Sequence, residues 1–293
     1  MTAAAPSRAV LITGAASGIG KTTAIRLLAE GYRVFGGVLL AEEARQLQST
    51  LGPHFTPVLL DVRDEHSLAT AATQVAQTLG KQRLGALLNC AGIITNGPLA
   101  DLSASTFSDV LAVNVVGMHA TTRAFLPMLG SDMQREGAPG RVINISSASG
   151  RRTMPFTGAY SASKFGVEAL SAAMRMEFRP LGIGVIVIAP GLVHTPMASH
   201  IHRDLQKPPS LLLYQEPLRR FLALSKEATR KGVPIERVVH TIVRALHHLR
   251  PKPRYELHNN FFRDAVLMRA LPVWLRDATV ARKLALQAPH QKR

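Results

Sequence analysis

Six short aliphatic runs punctuate the chain up to residue 189, and each of the first five is followed by a longer segment with helical spacing. The runs are AVLIT (9–13), RVFGGV (33–38), TPVLL (56–60), LGALLN (84–89), GRVINIS (140–146) and GVIVIA (184–189). The helical segments cover 18–30, 41–51, 65–79, 104–130 and 158–179. A strand that is apolar without alternation is buried on both faces. Strands that alternate with helices form right-handed βαβ units, and their strands are parallel. The pattern predicts one doubly wound α/β domain over residues 1–293, with its ligand at the carboxyl ends of the strands. A helix over 234–249 and a strand at RYEL (254–257) complete a parallel sheet of seven strands flanked by helices.

The rhythm breaks after residue 196. Residues 197–232 carry Pro208, Pro209 and Pro217 beside the apolar LLLY (211–214), which predicts a partly helical lid over the site. Residues 250–293 form a C-terminal arm. Charge is divided unevenly: residues 1–199 hold 16 Lys+Arg and 12 Asp+Glu, a net of +4, whereas 200–293 hold 19 and 7, a net of +12. A basic tail suits an anionic membrane surface or an acidic protein. Nucleic acid is disfavoured, because the tail holds no recognisable binding module. A single cysteine, Cys90, excludes an internal disulfide and fits a reducing compartment. The N-terminus lacks the charged and apolar regions of a secretory signal, and no apolar run is long enough to span a bilayer. The expected location is the cytoplasm, with peripheral membrane contact through the arm.

LITGAASGIGKTTA (11–24) sets Gly14, Gly18 and Gly20 between the first strand and the first helix. Glycines there permit a tight turn and a close approach of backbone to a pyrophosphate, which the helix N-terminus favours. The spacing is G-x-x-x-G-x-G. Together with motifs downstream of it, this loop resembles the short-chain dehydrogenase/reductase family over residues 8–197. TGAASGIG (13–20), LDV (60–62), NCAG (89–92), VNVVG (113–117), INISSASG (143–150), YSASK (160–164) and PGLVHTP (190–196) match the family's motifs in order. The resemblance implies a Rossmann-type fold and a nicotinamide cofactor. Its contacts would be Gly14, Ser17, Gly18, Ile19 and Gly20 at the phosphates and Val38 at the ribose. Asp61 and Val62 would flank the adenine, and Asn89, Ala91 and Gly92 would lie just past the fourth strand. Pro190 and Gly191 would turn the chain past the nicotinamide, with Val193 and Thr195 bonding its amide.

The second strand carries the choice of nicotinamide. An acid about 20 residues past the glycines binds the ribose 2′-hydroxyl, and a nearby arginine suits a 2′-phosphate. Here Val38 stands at that place, followed by Leu39 and Leu40, and Ser17 stands where phosphate-binding members carry a cation. Burying a phosphate dianion without a cation is the costlier error. NAD(H) is therefore favoured over NADP(H), with Glu42 or Glu43 as a substitute acid.

The resemblance further implies a catalytic tetrad of Asn114, Ser147, Tyr160 and Lys164. Hydride transfer to a carbonyl needs a proton donor at its oxygen, and alcohol oxidation needs the reverse. Tyr160 would be that acid/base, with Lys164 one helical turn away on the same face. Lowering a phenol by about three pK units takes ~4 kcal/mol. One ammonium at ~4 Å supplies ~4 kcal/mol at an effective dielectric of ~20. Ser147 would polarise the substrate oxygen, with Ser146 and Ser149 as rivals, and Asn114 would hold a water linking Lys164 to solvent. No metal is expected: His200 and His202 form an isolated pair.

Lid residues Leu192, Leu211, Leu212, Leu213, Tyr214 and Phe221, with TMPFTG (153–158), predict a hydrophobic alcohol or ketone substrate. The segment from Pro253 to Asp277 resembles the retinol, hydroxysteroid and 3-hydroxybutyrate dehydrogenase branch. Within 259–288, Phe261, Phe262, Leu267, Leu271, Trp274 and Leu275 alternate with arginines, as in an interfacial helix or a packed arm. Family members pair through the helices preceding and containing the tyrosine, and small residues in SAAM (171–174) suit a homodimer or homotetramer. The alternatives are an NADPH-dependent 3-oxoacyl-thioester reductase and a non-catalytic dinucleotide sensor or scaffold. A sensor would need only the cofactor half of these motifs.

Overall fold

The structure, a computed structural model, describes residues 7–258 and 272–287. Seven strands form one parallel sheet: β1 (Ala9–Thr13), β2 (Arg33–Val38), β3 (Phe55–Leu59), β4 (Ala86–Asn89), β5 (Arg141–Ile145), β6 (Gly184–Pro190) and β7 (Arg254–Leu257). Their order is β3-β2-β1-β4-β5-β6-β7, and every pairing is parallel. The chain therefore winds outward in one direction from β1 and in the other from β4. A crevice opens between the carboxyl ends of these two strands, where such sheets bind ligands. All five residues of β1 are buried, as an unbroken apolar run requires.

Two apolar layers cover the sheet. One packs α1 (Gly18–Ala29) and α9 (Ile235–His247) through Ala24, Leu27, Val239 and Ile242. The other packs α3 (Glu65–Leu79), α5 (Met118–Leu126) and α6 (Gly158–Glu177) through Leu68, Val75, Phe125 and Val167. The helix α2 (Ala41–Leu51) links β2 to β3. Gly36 has a packing role here. A Cβ at this position would overlap the ring of Phe55, which is fully buried.

The expected single helix over 104–130 is divided. It consists of α4 (Ala104–Leu111), a π-helical stretch at Ala112–Gly117, α5, and a second π-helical turn at Pro127–Ser131. Gly130 leaves helical geometry there at φ 157° and ends the segment. The first widened stretch matters most, because it carries Asn114.

The lid comprises α7 (Pro196–Asp204) and α8 (Gln215–Arg230), and the arm contributes α10 (Val273–Leu284). These join in a separate apolar cluster of Phe156, Ile201, Leu205, Leu218, Phe221 and Leu284. The arm is thus packed through Leu284, which is fully buried, while Trp274 at its other end stays 71% exposed. Phe261, Phe262, Leu267 and Leu271 of the expected interfacial helix lie outside the described residues. Among the described residues, no helix is long and apolar enough to cross a membrane.

Candidate active site

The loops after β1 and β4 are fastened together at the crevice. Thr13 Oγ1 accepts from the backbone N–H groups of Cys90 and Ala91, both at 3.0 Å. Gly14 (φ 66°) and Gly18 (φ 51°) occupy the left-handed region that glycine favours. A Cβ on Gly14 would stand 3.0 Å from the Ala91 backbone, and one on Gly20 would overlap the Gly14 carbonyl oxygen. Ser17 precedes α1 without bonding its hydroxyl to the helix, and no acid occupies the first turn. The N-terminal N–H groups of α1 are thus compatible with an anion. Ile19 in that turn is half-buried. Thr13 gave no signal in the sequence beyond its place beside the glycines.

The segment after β6 closes on this loop. A Cβ on Gly18 would lie 3.5 Å from Thr195 Cγ2. Thr195 caps α7 by position, but its hydroxyl makes no bond to the helix. Pro190 ends β6, Gly191 N–H donates to Leu257 O at 2.8 Å, and buried Val193 pairs with Val233.

At the other end of the crevice Val38 is buried, whereas Leu39 and Leu40 are 63% and 60% exposed. Glu43 accepts from Leu40 N–H at 3.3 Å, and Glu42 pairs with Arg45. Both candidate acids are therefore engaged at the start of α2. Asp61 accepts from Arg63 Nε and Nη2 at 3.1 and 2.8 Å, and these bonds hold its carboxyl below the usual range. Val62 is buried against Gly117. Asn89 donates its amide to Thr122 Oγ1 at 3.0 Å and Asn144 Oδ1 at 2.9 Å, so this side chain braces β4 against β5 and α5. A Cβ on Gly92 would meet Asn114 Oδ1 at 3.2 Å.

The four catalytic candidates converge at the carboxyl ends of β4 and β5. Asn114 accepts from Ile93 N–H at 2.8 Å and donates to Ile93 O and Ser163 Oγ, both at 2.9 Å. Lys164 Nζ donates to Ile145 O at 2.9 Å and stands 5.5 Å from the centroid of the Tyr160 ring. Ser147 Oγ accepts from Ser149 N–H at 3.1 Å and lies close enough to the Tyr160 phenol to oppose the effect of its burial. Ser146 instead donates to Glu168 Oε1 at 2.7 Å. Of the three serines, Ser147 is the one that meets the phenol. A small pocket between these elements is lined by Thr13, Ala91, Asn114, Ile145 and Lys164.

The electrostatics correct one expectation. Burial pushes the Tyr160 phenol up to about 12, with the Ser147 side chain opposing. Burial pushes Lys164 down to about 8, with Cys90 and Glu168 opposing. The polypeptide alone does not lower the phenol: desolvation dominates, and the ammonium is bonded to a carbonyl oxygen. The Cys90 thiol is likewise pushed up to about 12 by burial.

An aromatic cluster joins the 153–158 segment to the lid. Phe156 stacks edge-on with Tyr214 and Phe221, at 6.1 and 5.7 Å between centroids. It is held at φ 66°, a strained conformation for a bulky residue, while its carbonyl accepts from Gly97 N–H at 2.9 Å. His194 and His202 both reach Thr229, through its carbonyl at 2.6 Å and its hydroxyl at 3.4 Å. Among the described residues no cluster of three His, Cys, Asp or Glu forms a metal site.

The family model for short chain dehydrogenases matches residues 8–206. The chain is 38% identical to the mitochondrial D-beta-hydroxybutyrate dehydrogenase of Rattus norvegicus over 194 residues, which is 64% of this chain and 55% of that protein. It is 37% identical to retinol dehydrogenase 16 of Mus musculus over 191 residues, 65% of this chain and 58% of that one. The chain thus spans little more than half the length of these two relatives. It is 31% identical to the NADPH-dependent 3-dehydrocapnine reductase of Ornithobacterium rhinotracheale over 254 residues, covering 85% and 87% of the two chains. Among solved structures, a short-chain dehydrogenase from Streptomyces avermitilis superposes with a TM-score of 0.75 at 24% identity, over 96% of this chain and 97% of that one.

Proposed function

This chain belongs to the short-chain dehydrogenase family, and from that premise we propose that it transfers hydride between a nicotinamide dinucleotide and a hydrophobic secondary alcohol or ketone. The observation that carries the reading is the convergence of Asn114, Ser147, Tyr160 and Lys164 beside the Gly14–Gly20 loop. A dinucleotide-sensing scaffold would have no use for the Ser147–Tyr160 pair.

Gly14, Ser17, Gly18, Ile19 and Gly20 would hold the pyrophosphate against α1. Asp61 and Val62 would border the adenine, and Asn89, Ala91 and Gly92 would line the middle of the crevice. Pro190, Gly191, Val193 and Thr195 would border the nicotinamide. When bound, the nicotinamide supplies or accepts the hydride and, when oxidised, adds positive charge. Tyr160 Oη gives a proton to the substrate oxygen in reduction and takes it in oxidation. Ser147 Oγ orients that oxygen, and Lys164 and Asn114 connect the phenol to solvent. The aromatic cluster of Phe156, Tyr214 and Phe221 would exclude water and receive the apolar body of the substrate.

The preference for NAD(H) rests on Val38, Leu39 and Leu40, which offer no cation to a 2′-phosphate. The name of one relative specifies NADPH, so the two cofactors need direct comparison. A homodimer or homotetramer would form through the Ala112–Gly117 stretch leading into α5 and through α6, where Val116 and Phe165 are 60% and 44% exposed. Ser171 and Met174 of SAAM turn inward, leaving Ala172 and Ala173 as the small residues for such a contact. The arm would touch an anionic membrane surface through exposed Val273 and Trp274.

The test is turnover of a panel of hydrophobic alcohols and ketones, with a 3-oxoacyl thioester as comparator, in the presence of NAD(H) or NADP(H). Turnover confined to the thioester with NADPH would replace this reading, and no turnover on any member would remove it.

A further inference from the structure

Glu168 lies one helical turn beyond Lys164 on α6, and its side chain keeps only 14% exposure. Its Oε1 accepts from the Ser146 hydroxyl at 2.7 Å. Arg254 of β7, itself 10% exposed, donates Nε to both carboxylate oxygens at 3.1 and 3.0 Å. Arg151 Nε stands 3.9 Å away. Beyond Arg254 the polar contacts continue, with Glu256 Oε2 at 2.9 Å from its Nη1 and His258 Nε2 at 3.0 Å from Glu256 Oε1. A chain of polar side chains therefore runs from the residue preceding Ser147 to the carboxyl end of the last strand.

Desolvating two charges offsets most of their attraction, so a pair this buried is a weak source of stability. Its placement is more telling. A Cβ on Gly150 would meet Ser146 Oγ at 2.8 Å, Lys164 O at 2.9 Å and Glu168 Cγ at 3.0 Å. The 146–150 loop, the Lys164 turn and Glu168 thus pack as one unit.

We propose that Glu168, clamped by Arg254, is a positioning residue of the hydride-transfer site: it fixes the loop that presents Ser147 to Tyr160 and keeps Lys164 cationic. This inference rests on the roles of Tyr160 and Lys164 in hydride transfer. The groups acting on Lys164 are Tyr160 and Glu168 on its own helix, Cys90 from the end of β4, and the Ile145 carbonyl of β5. Burial keeps the Cys90 thiol protonated at neutral pH. The carboxylate of Glu168 is thus the anion that opposes the burial of Lys164. Without it, Lys164 would lose its proton at a lower pH, and a neutral lysine would no longer stabilise the Tyr160 phenolate.

The experiment measures the pH dependence of kcat and KM for alcohol oxidation by the full chain with its cofactor, in wild type, Glu168→Gln, Glu168→Asp, Ser146→Ala, Arg254→Gln and Tyr160→Phe. Glu168→Gln keeps a side chain able to bond Ser146 but removes the charge. Its descending limb should move to lower pH by about one unit, with kcat reduced about tenfold and cofactor KM unchanged. Glu168→Asp should restore the limb. Ser146→Ala should lower kcat without moving either limb, because the charge remains. Arg254→Gln removes the nearer of the two arginines beside the anion and should move the descending limb to higher pH. This variant decides the question if Glu168→Gln does not fold. A Glu168→Gln profile superimposable on wild type, or lowered evenly at every pH, would overturn the proposal, as would an unmoved limb in Arg254→Gln. Retained turnover in Tyr160→Phe would instead overturn the reading on which it rests.

Discussion

Lys164 donates to the carbonyl oxygen of Ile145 at 2.9 Å and thereby ties the catalytic helix to the last residue of β5. The ammonium is held beside the Tyr160 ring by this bond, and the phenol itself sits at about 12. Bringing a phenol from there to neutrality takes ~7 kcal/mol, more than the ~4 kcal/mol of one ammonium at ~4 Å. The phenol should therefore ionise near neutrality only with an oxidised dinucleotide bound. In ultraviolet difference titrations of wild type against Tyr160→Phe, phenolate absorbance should be absent at the ordinary tyrosine pKa of about 10. Saturating oxidised cofactor should move it down by about four to five units, towards neutrality. A phenolate already formed at neutral pH in the free protein would contradict this.

Lys164→Met should abolish turnover and stabilise the fold. The folded lysine titrates at about 8 against its ordinary 10.5, so the fold binds fewer protons than the unfolded chain between these values. Stability then rises with pH across that window, and the burial penalty, about 3 kcal/mol, is fully present below it. Allowing about 1 kcal/mol for the Ile145 carbonyl left without its donor, urea unfolding at neutral pH should favour the variant by about 2 kcal/mol. The gain should disappear above the upper end of the window. An advantage independent of pH would point to packing instead.

Gly20→Ala places a methyl group on the Gly14 carbonyl oxygen, within backbone that cannot yield without reshaping the phosphate loop. Nicotinamide fluorescence titration should show cofactor affinity reduced by at least about tenfold, or ~1.4 kcal/mol. Gly52→Ala is the control. That glycine, unlike Gly20, has positive φ, but a Cβ there would meet nothing within 4 Å, so any loss is confined to stability.

Leu39→Arg would supply the missing cation directly after β2, at a position that is already 63% exposed. NADPH affinity should rise about tenfold or more, with NADH affinity changed far less. Equal improvement for both cofactors would show that residue 39 does not border the ribose.

Flotation with anionic vesicles should recover the full chain, and Trp274→Glu should reduce that recovery, since Trp274 is 71% exposed at the start of a helix ending in Arg282 and Lys283. Equal recovery on neutral vesicles would exclude the basic residues as the cause.

Much of the architecture was legible because strands buried on both faces leave an unbroken apolar signature. AVLIT and RVFGGV became β1 and β2 without a shift of boundary. The widened helical turn at Ala112–Gly117 was illegible, since a change from i+4 to i+5 bonding leaves the apolar pattern almost untouched. The candidate tetrad could be assembled from its spacing. Its environment could not, because spacing along a chain does not measure desolvation. In the protein without its cofactor burial raises the phenol, and of Ser146 and Ser147, adjacent in sequence, the first gives its hydroxyl to Glu168 while the second accepts from Ser149 N–H. The bracing role of Thr13, the first residue of TGAASGIG, is not legible in the sequence because its partners, Cys90 and Ala91, belong to a loop more than 70 residues away.

The overlap that any Cβ on Gly36 would have with the ring of Phe55 also constrains descent. A lineage could gain a side chain at position 36 only after, or together with, a reduction at position 55. The reverse order passes through an overpacked intermediate, with a cost of about 1–3 kcal/mol. These two positions on neighbouring strands should therefore drift as a pair, and the sequence of β2 is historically contingent on a phenylalanine of β3.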